Sequence, residues 1–329
     1  MSAGKWFDRI LAFAGLVLLG ALILLALNYV HHDQETAEMD DGARRGTAGS
    51  YVTLPDGVTH YELGGPGDGR TVVLIHGFSV PYYIWDPTFD GLVNAGFRVL
   101  RYDLYGRGYS DRPDEKYGVE LYDRQLLNLL TALKIQGPVD LAGASMGGPI
   151  AIIFAARHPE RVRTISLFDP AYFSGEPVPW PLKTPVVGEY IIDAIWAPKL
   201  SDSQKEDFIH PERYPDYFAR YGTQMRYRGF RRALLSSIRH FFHYNDGPEF
   251  RQVGQSHKPV LVVCGREDKD VPFDVSKKVL AAIPQAEFHP IDDAAHVPFY
   301  EHPEIVNPIL IDFLRKNASE EQQEKAGKE

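Results

Sequence analysis

The chain has 329 residues, 44% of them hydrophobic and 24% charged, an ordinary composition for a globular protein long enough to bury a large core. Its formal net charge of -9 at pH 7 argues against a general nucleic-acid-binding protein. Cys264 is the only cysteine, so an intrachain disulfide is excluded and the redox state of the compartment stays open.

An apolar segment follows the first nine residues. Residues 10–30 contain no charged side chain, and about 20 helical residues cross a hydrocarbon layer of roughly 30 Å. Lys5 and Arg9 precede this segment, which places residues 1–9 in the cytoplasm and the remaining chain on the exoplasmic or periplasmic side. The sequence therefore predicts a single-pass membrane anchor. A cleaved signal peptide, giving a secreted protein, is the alternative, but Ala26-Leu-Asn28 is a poor cleavage site.

Beyond the anchor the sequence shows a polar segment and then a long region with alternating strand and helix patterns. Residues 31–50 are polar and begin with acids, so we expect a solvated linker. From Tyr51 onward strand patterns alternate with helix patterns, which predicts an α/β fold with a mostly parallel central sheet. Its core comprises residues 51–168 and 249–316, followed by a polar tail at 317–329. The expected strands are 51–54, 58–63, 71–75, 97–102, 139–142, 162–168, 259–264 and 286–291, and the expected helices are 86–95, 119–133, 149–158, 275–283 and 303–314.

Residues 169–248 interrupt the alternation, because they contain many prolines and aromatics but no convincing strand pattern. We expect an inserted helical cap over the carboxyl ends of the parallel strands, where ligands bind. Within it, residues 185–197 have the apolar pattern of a helix that lines an acyl-chain tunnel, touches the bilayer or packs over the sheet. Six arginines between positions 220 and 239 have no acid among them. They favour either a surface for anionic groups or a helix face paired with acids elsewhere.

The residues Gly143-Ala-Ser145-Met-Gly147 form a G-x-S-x-G pattern between a buried strand pattern and a helix pattern. A tight turn in that context holds the serine hydroxyl clear of the backbone, and the helix amino terminus favours an anion beside it. Ser145 is therefore the candidate nucleophile. The alternative is an ordinary serine in a glycine-rich turn, and a base, an acid and an oxyanion site elsewhere in the chain would decide against it.

Two backbone amides are candidates for the oxyanion hole. Phe78 lies just after the predicted strand at 71–75, and Met146 directly follows the serine. Donors of this kind stabilise the transition state by about 3 kcal/mol each. A strand-end turn with a histidine bonded to backbone is the simpler interpretation of His76.

A candidate acid and a candidate base also follow predicted strands. Asp268 is the preferred acid, although Glu267 and Asp270 lie close to it, and His296 follows the last strand. The chain thus presents a serine, an acid and a histidine in the order that an acyl-enzyme mechanism uses in such folds. That mechanism requires neither a metal nor an organic cofactor.

Five motifs occur in one order along the chain: His76-Gly-Phe78, Asp103-Leu-Tyr-Gly-Arg-Gly-Tyr-Ser-Asp-Arg-Pro113, Gly143-Ala-Ser-Met-Gly-Gly148, Gly265-Arg-Glu-Asp-Lys-Asp-Val-Pro272 and Ala295-His-Val-Pro298. With them, residues 51–314 resemble the α/β-hydrolase superfamily of the serine esterase and lipase type. The resemblance implies that Ser145 is the nucleophile, Asp268 the acid and His296 the base, and that the insertion after residue 168 is the cap.

Departures from the family pattern narrow the activity. Ala295 stands where the family usually has glycine, so this loop must accommodate a Cβ atom. A serine at position 145, rather than an aspartate, argues against haloalkane dehalogenases and epoxide hydrolases, and the loop at His76 lacks the Gly-Gly-Pro extension of proline iminopeptidases.

We therefore expect a serine hydrolase that cleaves carboxylic esters through an acyl-enzyme. An anchor followed by this domain is similar to membrane-tethered monoacylglycerol lipases, which implies a lipophilic ester or lipid substrate. Expected contacts with the membrane are the amino-terminal helix and the cap. Carbon–carbon bond hydrolases and perhydrolases with the same triad, and a slow ligand-sensing hydrolase, are the alternatives. The sequence does not specify the oligomeric state.

Overall fold

The fold is built on one central sheet. The structure, a computed structural model, describes residues 3–326, with side chains for residues 5–318. In these residues the sheet has eight strands in the order β1-β2-β4-β3-β5-β6-β7-β8. The strands are β1 (Ser50–Leu54), β2 (Gly57–Gly64), β3 (Thr71–Ile75), β4 (Arg98–Tyr102), β5 (Val139–Ala144), β6 (Val162–Phe168), β7 (Val260–Gly265) and β8 (Glu287–Ile291).

Strands β3 to β8 run parallel to one another, whereas β2 pairs antiparallel with both β1 and β4. The central strand β3 is wholly buried, which explains its continuous apolar run of valines, leucine and isoleucine. The predicted α/β sheet is confirmed. Because all parallel strands point the same way, the segments that follow β3, β5, β7 and β8 meet at one edge.

Helices cover both faces of the sheet. One hydrophobic cluster joins it to α4 (Val119–Ala132), α5 (Gly147–Arg157), α11 (Gly247–Gln255) and α12 (Val275–Ala282), and another joins it to α3 (Asp86–Asn94), α13 (Pro298–Glu301) and α14 (Pro303–Ala326). The last helix continues well past the predicted end at residue 314 and takes in positions 317–326 of the predicted polar tail. Positions 327–329 of that tail lie outside the described residues.

Residues 169–248 form no strand in the structure, and they contribute a series of short helices. These are α6 (Trp180–Lys183), α7 (Val187–Tyr190), α8 (Leu200–Ser203), α9 (Pro215–Met225) and α10 (Phe230–His240). The helical pattern expected at 185–197 corresponds to consecutive helical segments of different type, namely α7, a π-helical turn at Ile191–Trp196 and a 3-10 turn at Ala197–Lys199. Pro198 lacks an amide hydrogen and clashes with the carbonyl four residues earlier, so regular α-helix cannot continue through it.

The first helix, α1 (Ala3–His31), starts seven residues before the predicted anchor. Its stretch Lys5–His31 has a mean hydropathy of 2.9 and none of its apolar window is buried in the protein, so by length and composition it is able to cross a membrane. A signal sequence has the same properties. The hydroxyl of Tyr29, near the end of this helix, donates to Asp193 Oδ2 of the cap at 2.9 Å.

A solvated linker is the expectation for residues 31–50; most of them are exposed, but several of their side chains are bonded to the rest of the protein. Glu35 accepts hydrogen bonds from the amides of Gly229 (2.9 Å) and Arg231 (2.7 Å), at the start of α10. The guanidinium of Arg231 also pairs with Asp33 and lies 3.4 Å from Glu35 Oε1. Asp33, Glu35 and Arg231 are called the clasp below. Farther along, Arg44 of the short helix α2 (Asp41–Arg44) is buried against the core, where it donates to the carbonyl of Tyr109 at 3.2 Å.

Five of the six arginines between positions 220 and 239 are paired with acids from other segments. These pairs are Arg220 with Asp86, Arg228 with Glu38, Arg231 with Asp33 and Glu35, Arg232 with Asp114, and Arg239 with Glu189. The acids that pair with Arg228 and Arg231 belong to the linker, so these ion pairs help to hold the linker on the cap. The pairing agrees with the second alternative for these arginines, a helix face paired with acids elsewhere in the chain.

Candidate active site

Ser145 lies in a strained turn between β5 and α5. Its backbone has φ of 52°, a left-handed conformation that costs a non-glycine residue about 1–2 kcal/mol. A Cβ atom on Gly147 would lie 2.2 Å from the carbonyl oxygen of Ile75, and one on Gly143 would lie 2.2 Å from the carbonyl oxygen of Gly147. Both glycines are therefore required by close backbone approach. The Ser145 amide donates to Phe168 at 2.9 Å, which fixes the turn to the neighbouring strand β6.

The loop after β3 passes beside this turn. A Cβ atom on Gly77 would lie 3.1 Å from the Cβ of Ser145. The next residue, Phe78, and Met146 at the amino end of α5 carry the two predicted oxyanion amides. Within the part of the chain that the structure describes, neither amide donates a hydrogen bond to another backbone group. Both are thus left without a backbone acceptor beside the serine.

His76 supports the same loop and is not placed to react. Its Nε2 accepts from the amide of Leu104 at 2.9 Å and its Nδ1 bonds to the carbonyl of Gly77 at 2.9 Å. Burial lowers the pKa of His76 to about 4, against the opposing influence of Asp103, so the ring stays neutral and can be both donor and acceptor.

Arg107 is a supporting residue that sequence reasoning missed. Its fully buried guanidinium donates to the carbonyl of Phe78 at 2.7 Å and to Ser237 Oγ of α10 at 2.9 Å. It thereby connects the cap to the loop that carries the Phe78 amide. It lies in the quoted Asp103–Pro113 motif, but nothing in that motif alone indicates its contact.

Asp268 and His296 meet at the end of the sheet. His296 Nδ1 lies 2.8 Å from Asp268 Oδ2, and Asp268 Oδ1 accepts from the amides of Asp270 (2.8 Å) and Val271 (3.0 Å). Burial alone lowers the pKa of His296, but the charge of Asp268 and its hydrogen bond raise that pKa overall. Asp268 is therefore oriented by its own loop to hold the imidazole and to stabilise it when charged.

Neither of the two neighbouring acids bonds to Nδ1 of His296. Glu267 accepts from the amide of Ala294 at 3.2 Å and so braces the histidine loop. Asp270 is exposed, with Oδ2 3.9 Å from His296 Nε2. Asp169 follows β6 and is buried near Asp268 and His296, where it accepts a hydrogen bond from the Gly265 amide at 2.9 Å. Burial, and after it the charge of Asp268, raises the pKa of Asp169 well above the ordinary range.

Ser145 and His296 line one cavity of about 180 Å³ beneath the cap. The walls combine aromatic and aliphatic side chains with acids, and the ring of Trp196 from the cap stacks on Phe78 with centroids 5.9 Å apart. The lining residues are Gly77, Phe78, Ser79, Val80, Ile84, Ser145, Trp196, Leu200, Ser203, Gln204, Glu206, Asp207, Asp270 and His296. A separate cavity of about 340 Å³ lies between the linker and the cap and contains neither Ser145 nor His296.

A cap segment is bonded directly to the histidine loop. The amide of His296 donates to the carbonyl of Asp207 at 3.1 Å. One carboxylate, Glu301, accepts from Ala295 (2.8 Å) and from Ile209 of the cap (2.7 Å). No local pattern indicates Asp207 or Glu301, since their roles depend on how the cap packs. Ala295 is not among the described residues with positive φ, so its Cβ is accommodated without backbone strain.

The structure shows no group of three or more metal-ligating side chains within its described residues. Ser145, the loop at Phe78 and His296 line one cavity, and Nδ1 of His296 is bonded to the carboxylate of Asp268. Such an arrangement is chemically equipped to attack a carbonyl carbon and to hold the resulting oxyanion.

Comparisons with known proteins agree with this architecture. A sequence model described as alpha/beta hydrolase fold matches residues 70–303. The AB hydrolase superfamily protein YisY of Bacillus subtilis (strain 168) is 26% identical over 270 residues, covering 80% of this chain and 98% of that protein. A 2-hydroxy-6-oxononadienedioate/2-hydroxy-6-oxononatrienedioate hydrolase of Paraburkholderia xenovorans (strain LB400) is 31% identical over 274 residues, covering 78% of this chain and 90% of that protein.

Among solved structures, the enol-lactonase from Burkholderia xenovorans LB400 superposes with a TM-score of 0.70 at 25% identity, covering 81% of this chain and 100% of that one. These relatives carry names for different reactions, so they show the fold and a hydrolase family without choosing one substrate. The family model covers most of the chain and contains the serine turn, the acid and the histidine loop, and on that basis the protein belongs to the α/β-hydrolase fold family.

Proposed function

We propose that the protein is a serine hydrolase that cleaves uncharged, lipophilic carboxylic esters. The observation that carries this choice is the charge of the cavity beneath the cap. Its lining includes the acids Glu206, Asp207 and Asp270 and, among the described residues, no lysine or arginine. An anionic substrate would meet like charge there, whereas the aromatic and aliphatic wall suits an uncharged acyl chain.

In this proposal the reaction passes through an acyl-enzyme. Ser145 Oγ attacks the ester carbonyl while His296 Nε2 takes its proton, and Asp268 orients the ring through Nδ1. The amides of Phe78 and Met146 hold the oxygen that becomes negative. His296 then returns the proton to the leaving alcohol, and water releases the acid by the same steps.

Carbon–carbon bond hydrolysis is the second candidate, favoured by the name of the Paraburkholderia xenovorans relative. The substrate in that name is a dioate and therefore carries two carboxylates at neutral pH. Binding a dianion usually requires arginine or lysine, and the cavity lining offers acids instead. We therefore rank ester hydrolysis first.

We also propose that α1 remains attached as a membrane anchor and that the cap touches the same bilayer. Trp180, Val186 and Ile195 are large exposed apolar side chains of the cap. The end of α1 contacts the same part of the cap, because the rings of Tyr29 and Tyr190 are stacked with centroids 6.4 Å apart. An apolar patch beside the end of an apolar helix fits a lipid surface.

The anchor is tested by intact mass and flotation of the chain isolated from membranes. A full-length mass together with flotation on lipid vesicles supports the anchor. A mass that lacks the apolar segment would show that it is a cleaved signal sequence.

The activity is tested on the full-length chain in detergent micelles, because truncation within the linker would remove the clasp. We expect labelling by a fluorophosphonate and hydrolysis of p-nitrophenyl esters that increases with acyl length, both lost in Ser145→Ala, whose kcat should fall by about 10⁶. A 2-hydroxy-6-oxo-dienedioate serves as the competing substrate. Turnover of the dioate but not of esters would replace the proposal with the second candidate, and absence of labelling would refute an activated serine.

A further inference from the structure

Asp169 is a buried acid at the catalytic edge of the sheet that the reaction described above does not use. It directly follows β6, and only 2% of it is exposed. Its Oδ1 accepts a hydrogen bond from the Gly265 amide at 2.9 Å, whereas its Oδ2 is buried and has no hydrogen-bond partner among the described residues. A buried carboxylate is stable when donors satisfy both oxygens, so this carboxyl group is poorly placed to carry a charge.

The backbone fixes Asp169 between β5 and β7, the strands that precede the nucleophile and the acid. Its amide donates to the carbonyl of Val263 in β7 at 2.9 Å, and the Ala171 amide donates to the carbonyl of Ser145 at 3.1 Å. The φ of Asp169 is 42°, a left-handed conformation that is strained for most residues other than glycine. A strained, buried acid beside a reactive group indicates a role beyond packing.

The carboxyl group of Asp169 meets that of Asp268. The two lie within hydrogen-bonding reach of each other, and the side chain of Asp268 is fully buried. Carboxylate oxygens only accept hydrogen bonds, so two carboxyl groups bond to each other only when one of them carries a proton. Two buried carboxylates this close do not both ionise, because like charges repel strongly where water is excluded.

The surroundings decide which of the two acids holds the proton. Asp268 accepts hydrogen bonds from Nδ1 of His296 and from two backbone amides of its own loop. Asp169 accepts one, from a single amide. Cys264 also lies near Asp169, but burial raises the pKa of its thiol, so it stays neutral. The better-solvated Asp268 therefore keeps the negative charge, and Asp169 takes the proton.

We propose that Asp169 is a positioning residue for the triad, a neutral carboxylic acid that donates its Oδ2 proton as a hydrogen bond to Asp268. This bond draws negative charge on Asp268 away from the imidazole, so Asp268 stabilises the imidazolium less. The inference rests on the proposed serine hydrolysis and adds a further residue to its machinery. Asp169 acts through Asp268 and not on the substrate.

Limiting the charge on Asp268 matters for the base. Although burial lowers the pKa of His296, Asp268 and two other acids raise it overall, to about 10. An imidazole that is already protonated cannot take the proton of Ser145. By holding a proton next to Asp268, Asp169 keeps more of His296 in the neutral form that the reaction needs.

The first test measures kcat/KM against pH for the full-length chain in detergent with p-nitrophenyl octanoate. Asp169→Asn keeps a donor and an acceptor in nearly the same shape and tolerates the left-handed φ, so the acid limb of the profile should not move. Asp169→Gly also suits that φ but removes the donor, so the acid limb should move up by about one pH unit. The matched control is Asp246→Asn, which removes another buried carboxyl group, one bonded to the Phe173 amide and outside the cavity. It should leave the limb in place.

Infrared difference spectroscopy tests the proton without catalysis. The spectrum of the wild type minus that of Asp169→Asn, at neutral pH, should contain the carbonyl stretch of one protonated carboxylic acid. No such band, together with a lower acid limb in Asp169→Asn, would show that Asp169 is ionised and would overturn the proposal. Equal upward shifts in Asp169→Asn and Asp169→Gly would also overturn it, because the donor would then have no influence. If the wild type hydrolyses no ester, the proposed function fails, and the infrared band alone decides whether the proton is present.

Discussion

Replacing Arg231 by methionine tests whether the clasp holds the linker on the cap. Only 7% of the Arg231 side chain is exposed, and its guanidinium lies between Asp33, Glu35 and Asp193. Methionine keeps much of the side-chain volume and removes the charge. Glu35 and Asp193 are largely buried and would then lack their cation, whereas the more exposed Asp33 would be rehydrated.

The expected magnitude follows from that burial. Breaking a fully buried ion pair costs about 3–5 kcal/mol, and partial exposure of the carboxylates reduces this to about 2–3 kcal/mol. The control is Arg228→Met, because Arg228 is 63% exposed and pairs with an exposed Glu38. An exposed pair of that kind contributes about 0–1 kcal/mol.

Hydrogen–deuterium exchange of the full-length chain in detergent measures the difference directly. In the Arg231→Met variant, the amides of α10 should exchange roughly 30- to 150-fold faster, which is the equivalent of about 2–3 kcal/mol of local opening. The Arg228→Met variant should differ from the wild type by less than about fivefold. Equal exchange in the two variants would refute the argument that the buried linker acids depend on Arg231.

Three further outcomes are expected. Burial raises the pKa of Asp207 to about 7, although the charge of His296 opposes the shift, so this group costs the folded protein stability as the pH rises from about 4 to 7. The Asp207→Asn variant should lose less stability over that range, by up to about 4 kcal/mol, when unfolding is measured against pH. A pH profile parallel to that of the wild type would contradict this. Arg107→Lys should lower kcat on a p-nitrophenyl ester about tenfold or more through a displaced oxyanion loop, and an unchanged kcat would show that Arg107 does not position it. Gly147→Ala should destabilise the fold by about 3 kcal/mol or more, because the new Cβ would lie 2.2 Å from the carbonyl oxygen of Ile75. The control is Gly222→Ala in helix α9, where nothing lies within 4 Å; it should be at least as stable as the wild type, by up to about 1 kcal/mol.

The sheet could be predicted from the sequence because its signals are local. The strand β3 lies at the predicted positions, since Thr71 followed by four buried apolar residues and then a glycine turn indicates a central parallel strand. The same logic led to Ser145 and His296, because residues that follow parallel strands gather at one edge. Their catalytic roles stay predictions until the labelling and kinetic experiments are done.

The cap could not be predicted in the same way, because its structure depends on packing between distant segments. Residues 185–197 have a helical apolar pattern, but Pro198 and the contacts of the cap divide them into short turns. Asp207 shows no local motif, and it matters because a turn of the cap is bonded to the histidine loop. The sequence shows Glu35 only as one acid of a polar segment, because the two amides that bond to it lie at the start of α10, far along the chain.

The clasp also affects the surface charge of a protein truncated at its amino terminus. Removing the first 45 residues would delete Asp33, Glu35 and Glu38 while leaving Arg228 and Arg231 on the cap. The exposed face of the remaining protein would then carry unbalanced positive charge, which attracts phosphate-bearing surfaces at low ionic strength. Adsorption of such a fragment to acidic lipid or to nucleic acid would be an artefact of the truncation and not a property of the intact chain.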